Sequence, residues 1–94
     1  MKIKWLKTAL KNPDQEAKYI AKDNPVAAAN MVEKIMHDVG LLSSHPSLGR
    51  TGRIHGTREL IIDPMSYIIP YRMRGNNVEI LRVFHASRKR PTKW

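Results

Sequence analysis

Ninety-four residues (10.8 kDa) give room for one domain, 1–94, and exclude two independent cores. An apolar share of 41%, no run near the ~18 apolar residues of a membrane span, and no signal-peptide core after Met1 point to a cytoplasmic protein with no membrane contact. Zero cysteines exclude disulfides and thiol chemistry, and a formal charge of +9 directs attention to anionic partners.

Ile3 and Trp5 alternate with Lys2 and Lys4, which predicts a short first strand. Asn12-Pro13-Asp14-Gln15 combines an N-cap, a proline suited to the first helical position and a capping-box glutamine, so a helix is expected from Pro13. Thr8 offers an earlier turn, and Ala17, Ile20 and Ala21 supply a buried stripe. Asn24-Pro25 repeats the device and starts a second helix. Val32, Ile35, Met36 and Val39 recur at helical spacing, with Ala28 and Ala29 one turn earlier, and Met31 and Met36 read as core residues. The tight link predicts an antiparallel helical hairpin, which frays at Gly40 and closes at His45-Pro46.

Beyond Gly49 the pattern turns extended. Strands are expected over Ile54 to Ile62, Tyr67 to Met73 and Val78 to Phe84, with Asp63-Pro64-Met65-Ser66 and Gly75-Asn76-Asn77 as turns. Pro70 cannot donate to a ladder, so its strand must carry a bulge or leave residue 70 unpaired. A basic tail, 86–94, follows. The fold class is α+β: an N-terminal strand and an antiparallel helical hairpin packed on an antiparallel β-sheet.

Charge is uneven along the chain. Residues 1–45 carry seven basic and five acidic groups, whereas residues 46–94 carry ten and three, including all eight arginines. Guanidinium groups suit forked recognition of phosphate or carboxylate. The contact candidates are therefore Arg50, Arg53, Arg58, Arg72, Arg74, Arg82, His85, Arg88, Arg90 and Trp94, against the plainer reading of a solvated basic face. Exposed Met31, Met65 or Met73 would add an adaptable binding surface.

Catalytic motifs are scarce. There is no P-loop, dinucleotide fingerprint, nucleophile elbow or HExxH motif. The four histidines lack ligand spacing, so no metal and no cofactor is expected. Gly49-Arg50-Thr51-Gly52-Arg53 has the composition of a phosphate nest, but a mobile connector with two solvated arginines is the expectation. RNA cleavage by 2′-OH attack needs a proton acceptor, a proton donor and cations, roles open to Arg58, Arg82 and His85 with Glu59 or Glu79. On a regular strand Arg82 and His85 face opposite ways, unless the strand bulges near Phe84.

Several segments, in order, resemble the RelE/ParE superfamily of type II toxin–antitoxin toxins. They are Tyr19-Ile20-Ala21, Asn24-Pro25, Ala27-Ala28, His45-Pro46, Gly49-Arg50, Gly52-Arg53 and Gly56-Thr57-Arg58-Glu59-Leu60. Tyr67-Ile68-Ile69-Pro70-Tyr71-Arg72 and Val78-Glu79-Ile80-Leu81-Arg82-Val83-Phe84-His85 complete the set. The resemblance implies a helical hairpin on an antiparallel sheet, and a cognate antitoxin whose acidic, partly disordered C-terminal segment wraps the toxin. Operator DNA is then contacted only through the antitoxin.

Two activities occur in the superfamily: mRNA cleavage on the ribosome in RelE-type members and inhibition of DNA gyrase in ParE-type members. The RelE-type lysine pair falls where Thr57, Arg58 and Glu59 stand, its strand arginine where Ile68 stands, and its C-terminal tyrosine within Thr92 to Trp94. A related nuclease branch with a catalytic histidine matches His85 and Arg58, but Ala86 follows where that branch has tyrosine. The run from Tyr71 to His85 is similar to ParE-type toxins. The expectation is a gyrase inhibitor that is not an enzyme. The alternative is a metal-independent, ribosome-dependent endoribonuclease using Arg58, Arg82 and His85.

Overall fold

The computed structural model describes residues 1–10, 21–63 and 65–86. Strand β1 (Lys2–Trp5) leads into a helical turn at residues 7–10, where the Leu10 N–H donates to the Leu6 carbonyl. Most of the first expected helix, and the tail bearing Arg88, Arg90 and Trp94, lie outside the described residues; Ala21 is helical, as expected of its end. Helix α1 (Pro25–Gly40) starts where Asn24-Pro25 predicts, with the Asn24 side chain accepting a hydrogen bond from the Ala27 N–H at 3.0 Å. A 3₁₀ turn, Leu41–Ser43, continues it.

The buried stripe of α1 is Ala28, Met31, Ile35 and Val39, with Val32 half-buried at its margin. Met31 is therefore core, not surface, while Met36 is 52% exposed rather than core. Apolar residues at 31, 32, 35, 36 and 39 allow two stripes one residue apart, and packing on the sheet selects the first.

The sheet follows as β2 (Arg50–Thr51), β3 (Arg58–Ile62), β4 (Tyr67–Arg74), β5 (Asn77–Ile80) and β6 (Phe84–His85). Its order is β1-β5-β4-β3-β2, with β6 beside β4. The pairs of the β2–β6 region are antiparallel as expected, but β1 runs parallel to β5. That pairing places Ile3 beside Val78 and Trp5 beside Ile80, so all four side chains meet the core. Leu60, Ile62, Tyr67, Ile69 and Tyr71 complete the face that α1 covers. No described helix is long and apolar enough to cross a membrane.

Two expected strands are shortened for local reasons. Residues 54–57 form a turn: the Thr57 N–H and hydroxyl both donate to the Ile54 carbonyl, and Gly56 adopts φ 80°, which needs glycine. The run from Val78 to Phe84 breaks at 81–83. From Ile80 to Phe84 is four steps, while their partners on β4, Tyr71 to Ile68, span three, so the β5–β6 side carries one extra residue. The bulge lies opposite Pro70, whose carbonyl accepts from Leu81 N–H while its nitrogen returns no donor. On the β3 side Pro70 stays in register opposite Glu59.

Candidate functional site

Among the described arginines, Arg50, Arg53, Arg72 and Arg74 meet two buried carboxylates. The first is Glu59 on β3, 1% exposed. Its Oε1 accepts from Arg50 Nη2 at 3.0 Å, and its Oε2 accepts from the Arg53 backbone N–H at 3.2 Å. Arg58 donates from Nη1 to the Gly49 carbonyl at 2.8 Å. The Tyr71 hydroxyl accepts from the Gly49 N–H at 2.9 Å and donates to the Pro46 carbonyl at 2.7 Å. Burial pushes the Tyr71 hydroxyl pKa up, against the opposing pull of the Gly49 N–H and the Arg58 charge, so it remains protonated and able to donate.

These bonds correct the reading of residues 49–53 as a mobile connector. The segment includes β2, and its amides are engaged: Gly49 by Tyr71, Gly52 by the Thr57 carbonyl and Arg53 by Glu59. Of these amides only that of Arg53 meets an anion, the Glu59 carboxylate, so no amide nest is formed. Arg53 and His55 remain exposed at the hairpin tip.

The second carboxylate is Glu79 on β5, 6% exposed, on the sheet face turned away from α1. Arg72 lies directly across on β4 and donates from Nε at 2.6 Å; Arg74 Nε lies at 3.7 Å; Lys4 pairs from β1 on the other side. The Arg72 hydrogen bond holds the Glu79 carboxyl below its ordinary value of 4.5, with the charges of Arg72, Arg74 and Lys4 adding to it against the cost of burial. A carboxyl depressed in the folded state stabilises fully above the unfolded value, and this is lost as pH falls through the folded one. Glu79→Gln is therefore expected to lower stability at neutral pH. In urea titrations, the gap to the wild type should narrow as pH drops below 4.5. A pH-independent gap would show that charge is not the cause.

The remaining candidates are dispersed. His85 pairs with Tyr67, the two rings edge to face at 5.4 Å, while Arg58 pairs with Tyr71. Four residues of β4 and two strand spacings separate them, roughly 16 Å between Cα atoms. Arg82 lies in the bulge, so the regular-strand argument about its direction does not apply, and its Nε is buried without a hydrogen-bond partner among the described residues. Glu59 has both oxygens engaged and Glu79 is held ionised, so neither is a free proton shuttle. Met73 is exposed and Met65 half-buried. Sequence reasoning missed the part played by Tyr71 and Gly49; the only signal was a tyrosine on a core-facing strand position.

Comparison with known proteins agrees with this architecture. The family model described as "ParE toxin of type II toxin-antitoxin system, parDE" matches residues 3–90. A Sinorhizobium fredii protein named "Putative toxin Y4kP" is 46% identical over 90 residues, covering 96% of this chain and 93% of that protein. Toxin RelE2 of Caulobacter vibrioides is 30% identical over 86 residues, covering 92% and 96%. Among solved structures, a chain of the chromosomal ParDE system from P. aeruginosa superposes with a TM-score of 0.82 at 25% identity, covering 90% of this chain and 95% of that one. A chain of the RelBE2 toxin–antitoxin complex from Mycobacterium tuberculosis gives 0.58 at 26% identity, covering 93% and 92%. The chain belongs to the ParE toxin family of type II toxin–antitoxin systems, within the RelE/ParE superfamily.

Proposed function

We propose that this toxin arrests growth by binding and inhibiting DNA gyrase rather than by cutting RNA, and that a cognate antitoxin neutralises it. The observation that carries the reading is the dispersal of the would-be nuclease set. Arg58 is bound to the Gly49 carbonyl, on the far side of β4 from His85. General acid–base catalysis needs those groups within hydrogen-bond reach of one substrate. The superposition on the ParDE chain, 0.82 against 0.58 for the RelBE2 chain, supports the same branch.

The test is cell-free translation programmed with purified mRNA, where gyrase plays no part. Intact message and normal product are expected from toxin that still arrests growing cells, and His85→Gln should arrest them equally. Cut message, lost in the His85→Gln variant, would establish the nuclease instead.

A further inference from the structure

The sheet face turned away from α1 gathers cations at one corner. Lys2 and Lys4 on β1, Asn77 and Glu79 on β5, and Arg72 and Arg74 on β4 share that face, because Lys4 lies beside Glu79 and Glu79 beside Arg72. Lys2, Lys4 and Arg74 are exposed, and Arg72 is half-buried. Glu79 is the one acidic residue of these three strands, so the corner sets four positive charges against one negative. Glu59, one strand further, is engaged by Arg50, and Asp63 follows the far end of β3.

Glu79 arranges the two arginines without using up their donors. Arg72 and Arg74 both approach its Oε1 through Nε, at 2.6 and 3.7 Å. A guanidinium held by Nε keeps both terminal nitrogens, and among the described residues neither arginine bonds through them. Those nitrogens form the fork that matches phosphate oxygens. The two forks stand two residues apart on β4, about 7 Å, and Lys2 and Lys4 repeat that spacing on β1. Lysines on an edge strand also guard a sheet against unwanted pairing. That accounts for β1 alone, because Arg72 and Arg74 belong to β4, two strands inward.

The neighbours of these cations select the occupant. Met73, between the two arginines, pairs with Val78 on the opposite face, and the groups beside the cations are amides, Asn76 in the turn and Asn77. Protein partners are anchored by buried aromatic or aliphatic side chains, and this corner exposes none to receive them. Contacts to a phosphate backbone need only cations and amides. We propose that this corner binds the phosphate backbone of duplex DNA, so that the toxin holds the DNA segment on gyrase as well as the enzyme. Its role there rests on the gyrase reading above, whereas the DNA contact is measured apart from it.

Fluorescence anisotropy of a labelled duplex of arbitrary sequence, titrated with purified toxin across a salt series, tests it. Four phosphate contacts give log affinity a slope of about −3.6 against log salt. Lys2→Gln with Lys4→Gln should reduce that slope by about two and weaken binding at least about tenfold at low salt. Both lysines are exposed, so the fold should persist, which the melting temperature checks. Arg74→Gln should act in the same direction. Lys22→Gln with Lys34→Gln removes the same charge from α1 and its approach, and should leave the slope unchanged. Equal losses in the two double variants would reduce the binding to net charge, and an unchanged slope in Lys2→Gln with Lys4→Gln would place it elsewhere; either overturns the proposal. Polyglutamate or single-stranded RNA displacing the duplex more readily than unlabelled duplex does would also overturn it. Toxin that binds duplex through this corner yet leaves gyrase untouched would refute the gyrase reading alone. Toxin that stops gyrase, with duplex affinity indifferent to these variants, would refute the corner alone.

Discussion

Gly49→Ala is expected to destabilise the protein by about 3 kcal/mol, at the upper end of overpacking costs. A methyl group there would stand 2.7 Å from Tyr71 Cε1, 2.8 Å from its hydroxyl and 2.9 Å from the Glu59 carbonyl oxygen. Each is below any normal contact, and none can yield freely: Tyr71 is fully buried and the carbonyl belongs to β3. Displacing the loop instead breaks the Gly49 N–H bond to Tyr71 and the Pro46 bond it supports. For a domain of this size the melting temperature should fall by on the order of 15 °C. Gly40→Ala is the control. That glycine closes α1 with helical dihedrals and nothing lies within 4 Å of an added Cβ, so it should be neutral or slightly stabilising. Equal melting temperatures for the two variants would refute the packing argument.

Glu59→Ala should cost about 2 kcal/mol, more than removing its charged partner. Arg50 is 54% exposed along its side chain, so Arg50→Ala loses a half-solvated ion pair worth under about 1 kcal/mol. Glu59 is buried, and its truncation strands the Arg53 N–H and leaves a void on β3. Chemical denaturation of both variants measures the difference. Amide exchange at residues 50–57 should accelerate in Glu59→Ala and much less in Arg50→Ala. If Arg50→Ala were the more damaging, the ion pair rather than the backbone anchor would hold the hairpin.

These effects explain what the chain itself declares. Asn24-Pro25 and the apolar recurrence fix α1 within the sequence, because capping and periodicity are local. Which of two neighbouring stripes faces inward is not local, and Met36 falls outside the core for that reason. Pro70 announces a break in the sheet, but the extra residue sits on the partner strand at 81–83, where only the pairing reveals it. The parallel pairing of β1 with β5 joins segments more than seventy residues apart and leaves no local mark. β2 is two residues long, too short to show a period.

The site is less legible than the fold. Composition marks the arginine-rich half, yet Arg50, Arg72 and Arg74 are ordered by Glu59 and Glu79, whose roles depend on burial. Arg50 and Arg72 are committed to those carboxylates, and Arg58 to a backbone carbonyl. Arg50, Arg53 and Arg74 remain exposed, Arg50 and Arg74 while paired with those carboxylates.

The most direct measurement of the account is DNA supercoiling by purified gyrase in the presence of the toxin. The reading predicts that supercoiling of relaxed plasmid is lost, with cleaved DNA accumulating, and that added antitoxin restores it stoichiometrically. Full supercoiling at toxin doses that arrest growing cells would contradict it.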